Sequence, residues 1–125
     1  MNRIRTTVLL LAASLAAAPA AFGHEAAKGQ NGGLRVDAGK YHAELVVNGT
    51  PTVAVFLSDA DDKPIPAAGF KANAILVIDG KSQRFELAPA DGSKLTGTAP
   101  AAVQPGTKGA IQITAPDGTT AQAKY

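Results

Sequence analysis

Two runs with apolar residues at every second position flank Asn48-Gly49, and this pattern constrains the chain more than any other feature of it. Successive side chains of a strand point to opposite sides, so Tyr41, Ala43, Leu45 and Val47 share one face. Val53, Val55 and Leu57 share one face of the next run. An Asn-Gly pair between two such runs predicts a β-hairpin closed by a type I′ turn. A lone hairpin is marginal in water, so its apolar face requires further strands to cover it.

The remainder of the chain supplies them. Residues 70–78, FKANAILVI, form the most apolar run after the N-terminal segment, and Asp79-Gly80 leads from it into residues 81–87. This predicts a second hairpin with a central first strand, in which Ala72, Ala74, Leu76 and Ile78 meet Phe85 and Leu87. Short strands are expected at 34–36 and around Leu95, and a last hairpin joins 110–115 to 119–125 across Pro116-Asp117-Gly118. Residues 59–66 and 99–107 carry the prolines and glycines of loops, and the carboxylates at 59–62 are expected to face water. Short strands at even spacing without helical periodicity predict an all-β fold, an immunoglobulin-like antiparallel β-sandwich of about seven strands, with a small barrel as the alternative. Val53, Val55, Leu57, Leu76, Ile78, Phe85, Ile111 and Ile113 are expected in its core, with no helix longer than two turns after Gly23.

The N-terminus reads as a targeting segment. Arg3 and Arg5 precede an apolar, alanine-rich run at 8–18, and small residues surround Pro19. That is the pattern of a secretory signal peptide, with cleavage expected after Gly23 or, alternatively, after Ala20. The run is shorter than the ~20 residues that span a ~30 Å bilayer core, so no stable membrane anchor is expected. The organisation read from the sequence is a signal peptide at 1–23, a flexible arm at 24–33 that is poor in apolar residues, and a β-domain at 34–125, placed in the periplasm or secreted. Without Arg3 and Arg5 the 12 basic residues fall to 10, against 10 acidic ones. A near-neutral domain with scattered cations gives no basis for nucleic acid as a partner. There is no cysteine, so the core has to hold without disulfides.

The sequence contains no catalytic motif. It lacks a Gly-x-Ser-x-Gly elbow, a phosphate-binding glycine loop, an HExxH helix and a cysteine nucleophile, so an enzyme is not expected. Asp59-Ala60-Asp61-Asp62 opens like a calcium loop but lacks the glycine and distal glutamate that would complete one. Asn48-Gly49-Thr50 matches a glycosylation sequon, which the turn explains without a glycan. His42 and Glu44 stand two apart on one strand, ~7 Å from each other, a span that a metal with ligands at ~2 Å could almost bridge. Cleavage after Gly23 would expose His24 as the first residue, whose amino and imidazole nitrogens can chelate Cu(II) together. His24, His42 and Glu44 are therefore the candidate ligands of a Cu(II) or Zn(II) site, against the plainer reading of His42 and Glu44 as polar residues on an outer sheet face.

Several short motifs carry a resemblance. Gly32-Gly33, Gly39-Lys40-Tyr41-His42-Ala43-Glu44-Leu45-Val46, Leu57-Ser58-Asp59 with Lys63-Pro64, and Leu87-Ala88-Pro89-Ala90 before Leu95 resemble small uncharacterised periplasmic proteins of bacterial heavy-metal resistance regions. The same stretch, residues 31–125, is similar to a domain of some metal-efflux adaptor proteins. In that pattern a histidine often precedes the Gly-Gly pair, where this chain has Asn31. The resemblance implies an exported protein that handles a transition metal, with a metal-efflux component as partner. The rival expectation is a structural or interaction module of the periplasm that works through an exposed sheet edge and binds no metal.

Overall fold

Strands form along the runs with apolar residues at every second position or more, and they are separated by Gly- and Pro-bearing turns. The computed structural model describes residues 26–125, which contain nine strands and no helix. These are β1 (Ala27–Lys28), β2 (Leu34–Ala38), β3 (Tyr41–Val46), β4 (Thr52–Ser58), β5 (Lys71–Ile78), β6 (Lys81–Pro89), β7 (Lys94–Thr98), β8 (Gly109–Thr114) and β9 (Thr120–Lys124). All pairs are antiparallel, and the strands make one curled sheet in the order β1-β2-β3-β4-β7-β6-β5-β8-β9. The strand that the sequence pattern does not mark is β1, where residues 27–28 pair with β2, and β2 itself runs beyond the expected 34–36 to Ala38. The putting together of β5 and β6 follows the Asp79-Gly80 expectation closely. Ile78 pairs with Lys81, and both turn residues have positive φ, 51° and 76°, as a type I′ turn needs.

β6 is the corner of the sheet. Its residues 81–87 pair with β5, whereas only Ala88 and Pro89 pair with β7. The curl brings β9 alongside β2, yet no ladder joins the two. Small side chains permit that approach: a Cβ on Gly39 would stand 3.1 Å from the Cβ of Ala121. Tyr125 reinforces it by donating its hydroxyl to the Ala43 carbonyl at 2.9 Å.

The first hairpin differs from expectation in its turn. Leu45 lies opposite Val55 and Val46 opposite Ala54, and the connection spans residues 47–51. A two-residue turn at 48–49 would set Leu45 against Thr52 and turn one apolar face onto a polar one. Matching of the apolar faces therefore overrides the local turn preference. Gly49 keeps a positive φ of 84°, and its N–H donates to the Val103 carbonyl at 2.9 Å.

The curl encloses one apolar interior. Of the eight residues expected there, Val53, Val55, Leu57, Leu76, Ile78, Ile111 and Ile113 are buried, and Phe85 is half-buried against them. Leu87 and Leu95 complete the layer, and the loops add Ala67, Ala99 and Val103, all buried. Among the described residues no helix is long and apolar enough to cross a membrane.

Candidate functional site

The outer face of β3 is covered, although its alternation suggested an open polar face. His42 and Glu44 are as buried as the core, with 4% and 5% of their surface exposed. Two segments lie over them, the β1–β2 connection and the loop after β4. Hydrogen bonds to both side chains make that burial possible, because a buried polar or charged group without partners is costly.

Glu44 is held by the first of these segments. Its carboxylate accepts the Asn31 N–H at 2.9 Å on Oε2 and 3.1 Å on Oε1, the Gly33 N–H at 2.8 Å, and the Asn31 side-chain amide at 3.0 Å. Gly29 passes so close to the carboxylate that a Cβ there would collide with the Glu44 carboxyl group. The stretch expected as a flexible arm thus carries strand β1 and a turn wrapped round an anion, at least over residues 26–33. Its scarcity of apolar residues concealed an anchor that is polar.

His42 is held by the second segment. Its Nδ1 lies 2.7 Å from Asp62 Oδ1, and its Nε2 lies 3.2 Å from Asp37 Oδ1, on the neighbouring strand. Arg35 donates to the other oxygen of Asp62 at 2.6 Å. A neutral imidazole can donate from one nitrogen only, and an imidazolium from both. Hydrogen bonding from His42, and then the charge of Arg35, hold the Asp62 carboxyl below its ordinary range. Asp62 has a positive φ of 62°, and the Asp59 carboxylate fixes this loop by accepting the N–H groups of Asp61 and Lys63. The expectation that the carboxylates at 59–62 face water fails for Asp62, which reaches back to the sheet.

Of the candidate metal ligands, His42 and Glu44 are each held by a different covering segment. His24 lies outside the described residues. Both oxygens of Glu44 accept N–H donors, and both nitrogens of His42 face carboxylates. Among the described residues no group of three or more His, Asp or Glu is placed to hold a metal. The cavity left between the covering segments is about 60 Å³, lined by Arg35, Glu44, Phe56 and Asp62. The sheet edges are also modest. β1 is two residues long and carries Lys28, while the free side of β9 lies along β2.

A larger opening lies beside the start of β2. It is a cleft of about 390 Å³ between Leu34, Leu45 and Val47 on one side and Pro105, Lys108 and Tyr125 on the other. Leu34 pairs with Leu45 and so points to the same side as Val36 and Ala38. Those two are buried, yet Leu34 is 38% exposed, because nothing among the described residues closes this end of the interior. Tyr125 is the one aromatic residue of its lining. Burial, and then the nearby charge of Glu44, push its phenol well above the usual range, so it remains a protonated donor to Ala43. No sequence pattern marked this cleft, since its lining comes from β2, the end of β3, the 105–108 loop and residue 125. No family model, curated protein or solved structure matches the chain.

Proposed function

We propose that this chain is an exported binding module of immunoglobulin-like sandwich type that receives an apolar group in the cleft between β2 and Tyr125. The sandwich reading is supported by the strand order. The β5–β6 hairpin lies between β4 and β7 in sequence but outside that pair in space, and β6 turns the corner between two halves. Export is supported by the N-terminal pattern at 1–23. One observation carries the binding reading: Leu34 faces inward and is still exposed. Inward apolar side chains are normally covered, and a cleft of this size falls within the ~300–1,000 Å³ range of small-molecule sites. Covering the exposed third of Leu34 contributes ~0.5–1 kcal/mol, so the remaining affinity comes from Leu45, Val47 and Tyr125 around it.

The metal reading receives less support, because His42 and Glu44 already serve as anchors for the two covering segments. The test uses an uncharged apolar dye, N-phenyl-1-naphthylamine, whose emission rises on leaving water. The full chain should enhance it, and Leu34→Asp should weaken binding at least tenfold. Ile75→Asp, at another exposed apolar position on the far side of the sheet, should leave it unchanged. Absence of enhancement, or equal loss in both variants, contradicts the proposal.

A further inference from the structure

The rim of the cleft is cationic. Lys28 on β1 and Lys108 just before β8 both line it, and both are exposed. Neither has an ion-pair partner among the described residues, and no Asp or Glu side chain lines the opening. An apolar trough flanked by two exposed ammonium groups is complementary to one kind of molecule, an apolar chain that ends in an anion.

We propose that the cleft selects a free aliphatic carboxylate, with the alkyl chain against Leu34, Leu45 and Val47 and the carboxylate between Lys28 and Lys108. The inference rests on the binding reading above and adds the charge of the ligand to it. Leu34 and Leu45 are paired across β2 and β3, so the chain would lie on a continuous apolar strip. Lysine suits the head group because it meets an anion as a mobile point charge and needs no fixed fork geometry. Such a contact at an exposed rim is screened by salt, whereas the apolar contribution is not.

The experiment displaces N-phenyl-1-naphthylamine from the full chain with decanoate, decanol and decylammonium in parallel. Decanoate should displace the dye at a concentration at least tenfold lower than decanol, with decylammonium weaker than both. In the Lys28→Ala, Lys108→Ala double variant, and in high salt, decanoate and decanol should converge while dye binding itself persists. Equal displacement by decanoate and decanol from the unsubstituted chain overturns the anion selection and leaves the apolar cleft standing. A decanoate preference that survives the double variant also overturns it, by placing the head group elsewhere. Failure of the dye to bind at all overturns the cleft reading and this inference together. The two lysines are exposed, so their truncation should leave the melting temperature unchanged, which confirms that any loss is not unfolding.

Discussion

Replacing Glu44 by glutamine is the most discriminating substitution in this domain, because it preserves shape and removes only charge and acceptor capacity. On an ordinary sheet face such a change costs little, within ~0.5 kcal/mol. Here three donors converge on the carboxylate, two backbone N–H groups and the Asn31 amide, and both oxygens receive at least one of them. Whichever way a glutamine amide turns, its NH2 group opposes one of those donors. Hydrogen bonds to a charged group contribute ~1.5–3 kcal/mol each, but Asn31 is exposed and its donors can turn to water. The remaining loss is ~2 kcal/mol, and Glu44→Ala should cost about the same or more. For a domain of this size ~2 kcal/mol lowers the melting temperature by about 8–16 °C. The assay is a far-UV circular dichroism melt of both variants, with amide exchange at Asn31 and Gly33 as the local readout. Both amides should exchange faster in either variant. A Glu44→Gln melt within ~2 °C of the unsubstituted protein refutes the anchoring of the β1–β2 turn.

Three further predictions concern the turn, the acid limb and the metal. Gly49→Val should destabilise by ~1 kcal/mol or more, since valine is strained at φ 84°; an unchanged melting temperature in the variant contradicts this. Asp62 has a lowered folded pKa, so its contribution to stability is complete above its ordinary value of 3.8 and is lost as pH falls below that. Asp62→Asn should therefore be less stable than the parent at neutral pH and converge with it in acid melts below 3.8, whereas a constant difference across pH contradicts the assignment. His42→Gln should lower thermal stability without changing Cu(II) or Zn(II) uptake measured by calorimetry; a matching loss of uptake would restore His42 as a ligand.

Much of the strand pattern was legible in the sequence, because alternation and turn chemistry act locally. Asp79-Gly80 is the clear case, where the turn residues and the apolar faces require the same register. At Asn48-Gly49 they require different registers, and burial of Leu45 against Val55 decides the outcome. That conflict was implicit in the positions of the apolar residues, which a two-residue turn cannot bring face to face. The polar anchors were not legible in the same way. Asn31 and Gly33 reach Glu44 across 13 and 11 residues, and Asp62 reaches His42 across 20, with no repeating pattern to show it. His42 and Glu44 stood out as a pair, but i, i+2 spacing cannot distinguish ligands from anchors. The cleft was less legible still, since its lining is gathered from segments far apart in the chain and not from any local run.

The most direct test of the binding account is a chemical-shift map of the isotope-labelled full chain titrated with decanoate. Perturbations should centre on Leu34, Leu45, Val47, Thr107 and Tyr125, with the amides of Asp91 and Gly92 in the β6–β7 turn unaffected. Shifts that centre on Asp91 and Gly92, or that are spread evenly over the domain, would contradict it.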